Sequence, residues 1–220
     1  VTLLGSHEPW KSADKIKGFN WLNWYGDKFS TSMKRGVFMD QALDLLPADY
    51  WRYYLMANAP EGSDTTFTWE HFAGVVNKDL ADVLGNFVNR VLRFTSSKFG
   101  DALPDGGAAG PREAALTEDL SKSIAAYAAQ LEALEFRKAF QELRGIWVQG
   151  NEYLTEAAPW SAFKTDPEAA AVGVRTAINL IRVYALLAWP IIPETSKRML
   201  KALGREGDAG HWPENIAEEL

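Results

Sequence analysis

Residues 67–100 read FTWEHFAGVVNKDLADVLGNFVNRVLRFTSSKFG, and the spacing of apolar side chains in this stretch decides the fold class. Phe72, Val76, Leu80, Val83, Phe87, Val91 and Phe94 recur at steps of three or four. Such a step returns each side chain to one helical face, so the spacing predicts one long amphipathic helix, or two in line. Thr68 stands where a hydroxyl accepts from a first-turn amide, and Phe67 with Phe72 fills the two positions of a hydrophobic staple. Gly100 supplies the stop.

Downstream the pattern stays helical. GDALPDGGAAGPR is a loop by its glycines and prolines, and Thr117 is expected to cap a helix through about Leu131. A further helix is expected from about Glu135 to Ala157, with Phe136, Phe140, Leu143, Trp147 and Leu154 inward. After APWSAFKTDP, Pro167 opens a nearly all-apolar helix that ends at Trp189 and Pro190, and Pro193 to Leu203 makes a last one. Upstream, Phe19 to Tyr25 suits a strand or hairpin arm that turns at Gly26 and Asp27. Asp40 is expected to cap a short helix, Pro47 suits the first turn of the next, and APEGSD breaks the pattern. The expected fold is mainly α: an antiparallel helix bundle preceded by a small mixed α/β segment.

Composition narrows the function. Of 220 residues 47% are apolar, enough for a real core. No cysteine is present, which excludes disulfides and thiolate metal sites, and His7, His71 and His211 lack zinc-site spacing, so no metal site is expected. His7 reads as a surface or strand-end residue. The run from Ala177 to Trp189 is interrupted by Asn179 and Arg182 and reads as a buried helix too short to cross a bilayer, so no membrane partner is expected. The net charge is −6, yet residues 1–36 hold six cations against three acids. A polyanion would therefore be received at selected patches rather than over the whole surface. The segments VTLLGS and WPENIAEEL look cut, which suggests a piece of a longer protein.

Residues 25–38, YGDKFSTSMKRGVF, concentrate cations and hydroxyls. Lysine supplies a point charge to phosphate oxygens, serine and threonine supply donors, and Gly26 and Gly36 suit hinges, so the segment fits a mobile loop over a polyphosphate. A solvated surface turn has the same composition. On the long helix, Asn86 and Arg90 are four residues apart and share a face; the amide offers donor and acceptor to a base edge, the guanidinium a fork or a plane. An ordinary polar helix flank has this spacing too. Trp160, stiffened by Pro159, lies just past a helix where a base could stack on it, or it packs in the core.

The spelling of these segments adds a resemblance. KFSTS resembles the KMSKS signature of class I aminoacyl-tRNA synthetases, in a variant found among methionyl-tRNA synthetases. GFNWLNWYGDKFSTSMKRGVFMDQALDLLPADYWRYYLMANAP is similar to that family's segment from the catalytic loop into the stem-contact helices. NKDLADVLGNFVNRVL looks like the first helix of its anticodon-binding bundle, and the likeness extends over the whole chain.

The resemblance implies domains at 1–38, the end of the nucleotide fold with its signature loop; 39–66, the stem-contact segment; and 67–220, the anticodon-binding bundle. It implies a methionine–tRNA ligase using ATP with Mg2+, acting in the cytoplasm on methionine-accepting tRNA with a CAU anticodon. Lys28 and Thr31 inherit a catalytic role and Lys28, Ser30, Thr31, Ser32 and Lys34 an ATP-binding one, since the signature loop stabilises the pyrophosphate leaving group. Thr31 stands where the commoner spelling has a second lysine, which leaves open whether Lys28 alone supplies the charge or Lys34 shares it. Asn86, Arg90 and Trp160 match the anticodon pocket position by position. Arg93, Lys98 and Arg144 could add phosphate contacts, though solvated helix charge is the more economical reading. The HIGH-type motif, the methionine pocket and the rest of the nucleotide domain are expected in a missing N-terminal partner, so this piece alone is not expected to bind ATP or to catalyse. A stand-alone helical RNA-binding or protein-interaction module is the alternative.

Overall fold

The computed structural model describes residues 13–220, so the expectation for His7 lies outside the described residues. Strand β1 (Leu22–Trp24) pairs antiparallel with β2 (Asp27–Lys28), with Asn23 opposite Lys28 and Trp24 opposite Asp27. The turn is therefore Tyr25–Gly26, one residue earlier than expected, because Asp27 is already in the ladder. Both turn residues have positive φ, 48° and 88°, the geometry that matches strand twist in a two-residue hairpin.

Helices α1 (Met39–Leu45) and α2 (Ala48–Ala57) follow, and β3 (Thr65–Phe67) returns parallel to β1 to give the order β2-β1-β3. Asp40 does not cap α1. Phe38 holds the cap position without a side-chain bond, and Asp40 lies in the first turn, where its charge still favours the helix N-terminus. Pro47 is the cap residue of α2 rather than part of its first turn. This segment closes over an aromatic cluster of Trp51, Tyr54, Phe67 and Phe72, with Trp24 stacked on Phe67 at 5.3 Å between centroids.

The long helix forms, with its ends where the sequence puts them. Thr68 Oγ1 accepts from the His71 amide at 3.1 Å, the Phe67 and Phe72 rings lie 5.8 Å apart, and Gly100 takes φ +76° past the last turn. Its interior differs from the expectation. Between α3 (Trp69–Val75) and α4 (Asn86–Lys98) the backbone is π-helical over Val76–Gly85. A π turn holds one residue more than an α turn, so the phase slips: Leu84 is buried where periodicity named Val83, which is half-buried. Gly85 suits the site, since a Cβ there would lie 2.9 Å from the Leu80 carbonyl oxygen.

The large core is built by α4 with α5 (Pro111–Glu132), α6 (Phe136–Ala157), α8 (Pro167–Ala188) and α9 (Pro193–Ala202), while α7 (Pro159–Ala162) is a single turn between α6 and α8. Helix α5 begins six residues before the expected cap Thr117. Pro111 opens it and Glu113 accepts from the Gly110 amide at 2.9 Å, leaving Thr117 to bond the Glu113 carbonyl from inside the helix. Phe140, Leu143, Trp147 and Leu154 of α6 are buried as expected; Phe136 is half-buried against Phe19.

Tyrosines tie the layers, Tyr127 donating to the Leu187 carbonyl and Tyr184 to that of Ile146, both at 3.1 Å. Helix α8 opens at Pro167 as expected and by length and apolar content alone would pass as a bilayer span, but 78% of its most apolar window is buried in the protein. The last residues form α10 (Ile216–Glu219), capped by Asn215, whose Oδ1 accepts from Ala217, and Ile216 is buried against the bundle.

Candidate nucleic-acid interface

The π segment hands the chain to α4 at Asn86, and α4 then presents Asn86, Arg90 and Phe94 along one face at i, i+4 and i+8. The wall opposite is α7. Ala158, at φ 38°, breaks α6 sharply, Pro159 starts α7 and is buried, and Trp160 follows. The Arg90 guanidinium carbon lies 4.4 Å from the Trp160 ring centroid. Phe94 meets the same indole edge-on at 6.0 Å, and Phe163 joins Phe94 at 6.1 Å and Phe99 at 5.4 Å. The end of α4 and the α7 turn are thus stapled by aromatic contacts.

Trp160 and Arg90 are half-buried and Asn86 is exposed. The indole packs against the large core with part of its surface left to solvent. The Asn86 side chain makes no hydrogen bond with a described residue, so its carboxamide keeps donor and acceptor free for a ligand. Arg90 covers one indole face. A cation–π contact near the surface contributes about 0.5–1 kcal/mol and a stacked base about 1–3 kcal/mol, so a planar ligand could take that face in place of the guanidinium. The structure places Arg90 and Trp160 in contact and Asn86 one turn along the same helix.

The neighbouring cations divide. Arg144 is held by Asp79 at 2.6 Å, and Tyr53 donates to the same carboxylate at 3.1 Å. Burial, with Asp79 beside it, pushes the Tyr53 phenol far above its ordinary value, so it stays a donor. Lys98 rests over the Phe163 ring at 5.7 Å, and Arg93 is exposed. Sequence reasoning missed the support given by Phe94, Phe99 and Phe163; the recurrence of Phe at 94, 99 and 163 around the charged positions was the available signal.

The lysine and hydroxyl segment forms a second constellation, built on the small aromatic cluster. Ser30 and Arg35 exchange backbone bonds at 2.9 and 2.8 Å, and Lys34, at φ 49°, closes the tip through its amide to the Thr31 carbonyl at 3.1 Å. Ser30 Oγ lies 3.3 Å from Ser32 Oγ and accepts from the Met33 amide. Arg35 is committed to this scaffold, donating to the Lys28 carbonyl at 2.8 Å and to Asp27 at 3.1 Å.

Thr31, Ser32 and Lys34 are exposed at the tip, and Lys28 is exposed with its ammonium 6.0 Å from the Trp21 ring centroid. Neither lysine has an ion pair with a described residue, so both charges remain available to a polyphosphate. Gly36, offered as a hinge, sits at φ +132° with the Phe29 ring where a Cβ would be, a packed joint rather than an open one. Among the described residues no cluster of three or more metal-ligating side chains occurs.

Comparison with known proteins gives two family matches, one of which takes in Asn86 and Arg90 and the other Trp160. A family described as the anticodon binding domain of methionyl tRNA ligase matches residues 103–220, and one described as tRNA synthetases class I (M) matches residues 1–92. A methionine–tRNA ligase of Maricaulis maris is 60% identical over 212 residues, which cover 96% of this chain and 37% of that protein. One of Caulobacter vibrioides is 59% identical over 218 residues, covering 99% and 38%. A Mycobacterium tuberculosis methionyl-tRNA synthetase in complex with methionyl-adenylate has the same fold, with a TM-score of 0.79 at 24% identity over 86% of this chain and 38% of that one. The chain belongs to the methionyl-tRNA ligase family of class I tRNA synthetases. It spans a little over a third of the length of these relatives.

Proposed function

We propose that this chain is the tRNA-reading part, with the ATP-closing loop, of a cytoplasmic methionine–tRNA ligase that joins methionine to its tRNA at the expense of ATP, with Mg2+ accompanying the nucleotide. The supporting observation is the Arg90 guanidinium laid over the half-buried Trp160 indole, with the Asn86 side-chain amide, unbonded among the described residues, one turn away. In this reading Trp160 stacks on the first base of the CAU anticodon and Asn86 and Arg90 hydrogen-bond anticodon base edges. RNA loops are read in this manner, on splayed bases rather than in a groove. Residues 67–220 form the anticodon-binding bundle, 39–66 the stem-contact segment, and 1–38 the end of a nucleotide fold completed by the remainder of the ligase.

In the loop, Lys28 and Lys34 hold positive charge where the pyrophosphate leaves. Ser30, Thr31 and Ser32 donate hydroxyl protons to phosphate oxygens. Arg35 keeps the tip rigid rather than contacting the nucleotide. The methionine carboxylate oxygen bonds to the α-phosphorus of ATP as the bond from that phosphorus to the bridging pyrophosphate oxygen breaks, so the carboxyl is activated as its adenylate and pyrophosphate leaves. A binding module without a ligase role has no use for two unpaired lysines on an ordered hydroxyl-rich tip, which favours the ligase.

The test is a fluorescence titration with methionine-accepting tRNA bearing CAU and with the same tRNA altered at the first anticodon base. The proposal expects binding that weakens with salt and weakens further with the altered base. Equal affinity for both RNAs removes the anticodon assignment.

A further inference from the structure

A groove of about 460 Å3 runs between the long helix and α9, beside the face that carries Asn86 and Arg90. Its floor is apolar, with Leu84 and Met199 buried beneath it, and its rim carries Asn77, Asn89, Arg93 and Arg198. All four rim residues are exposed.

The charge on the rim is unopposed. Arg35, Arg144, Arg175, Arg182 and Arg205 each face a carboxylate, and Arg52 is bound to the carbonyls of Pro190 and Ile191. Arg93 and Arg198 make no ion pair or hydrogen bond with a described residue, and no carboxylate among the described residues lines the groove. In a chain of net charge −6, two free guanidiniums on opposite walls of one groove mark a place for an anion. Arg93 follows Asn86 by seven residues and Arg90 by three, so it shares their helical face and joins it to the groove.

From these observations we infer that the groove takes the sugar–phosphate backbone of the RNA whose bases are read at Trp160, Arg93 and Arg198 each holding a phosphate by a guanidinium fork. Asn77 and Asn89 donate to phosphate or sugar oxygens between them. The two surfaces divide the work: base contacts at Asn86, Arg90 and Trp160 specify, and backbone contacts in the groove fix register without reading sequence. The apolar floor suits a backbone carried along the rim, since the sugar edge packs on it while the phosphates stay at the guanidiniums. This inference rests on the tRNA reading above and extends it to a second site.

The test is a titration of the chain with methionine-accepting tRNA at rising KCl, for the native protein, Arg93→Ala, Arg198→Ala and Arg198→Lys. Both side chains are exposed, so thermal melts should coincide. Each alanine variant is expected to lose about three- to tenfold in affinity near 0.1 M salt, equally for CAU and altered-anticodon RNA. The slope of log affinity against log salt should become shallower by about 0.7 to 0.9. Arg198→Lys should keep the native slope.

Native affinity and slope in both alanine variants, with anticodon discrimination intact, would overturn the groove alone. A loss confined to the CAU form would also overturn it, since the guanidinium would then be reading a base. A native chain that binds no tRNA would remove the base-reading assignment and the groove together.

Discussion

Gly150→Ala probes the close approach on which the position of α4 depends. Gly150 lies on α6 where it crosses α8, and an added Cβ would fall 1.9 Å from the Tyr184 hydroxyl oxygen, 3.0 Å from Cζ and 3.2 Å from the Phe87 ring. Tyr184 cannot swing aside, because it is fully buried and its hydroxyl donates to the Ile146 carbonyl. Overpacking of this kind costs about 1–3 kcal/mol, and a buried hydroxyl pushed off its acceptor about 1–3 kcal/mol more. Alanine returns about 1 kcal/mol of helix propensity. The net is a loss of about 1–5 kcal/mol, or a melting midpoint lower by about 2–20 °C for a chain of this size.

Circular-dichroism melts would measure it, with Tyr184→Phe and the double variant completing a cycle. Removing the hydroxyl removes the worst contact, so Tyr184→Phe should recover much of the loss in the Gly150→Ala background. A midpoint within 2 °C of native for Gly150→Ala, or strict additivity in the cycle, would refute the reasoning, as about 1 kcal/mol already moves the midpoint by that much.

Trp160→Ala should lower affinity for CAU tRNA about five- to 150-fold by loss of the stack, and Trp160→Phe should keep part of it; titration beside a melt separates binding from folding. In the full-length ligase, Lys28→Ala should lower kcat for pyrophosphate exchange about 100- to 1000-fold while tRNA affinity stays native. The hydrogen bond from Arg182, helped by Arg205, holds the Asp208 carboxyl below the usual carboxylate range. Because the folded value is depressed, this stabilisation is present above pH 3.8 and disappears as pH falls through the folded value. Native and Asp208→Asn stability should therefore differ near neutrality and converge in acid, as denaturant titrations across pH would record.

The sequence carried the ends of the long helix because its caps are local: a hydroxyl three residues from an amide, a staple four residues on, a glycine free to turn left-handed. The hairpin and α8 were legible for the same reason, in a glycine turn and a nearly all-apolar run that opens on a proline. The π segment was not, since an i to i+5 ladder has no composition signature and seven apolar residues at α spacing fit it nearly as well. Its mark is the exchange of Val83 for Leu84 in the core. Strand β3 was missed because its partner lies some forty residues away and the pairing is three residues long. At the interface, Asn86, Arg90 and Trp160 were named from spacing and resemblance. That Arg90 rests on the Trp160 ring depends on the left-handed break at Ala158 and on how α7 packs against α4, which no local pattern encodes.

The most direct measurement of the central claim is a cycle that crosses Trp160→Ala with a change of the first anticodon base and reads tRNA affinity in all four combinations. If the indole touches that base, the two losses overlap, and the double change should cost about as much as the larger single one. Losses that simply add would mean that the indole and the base never meet.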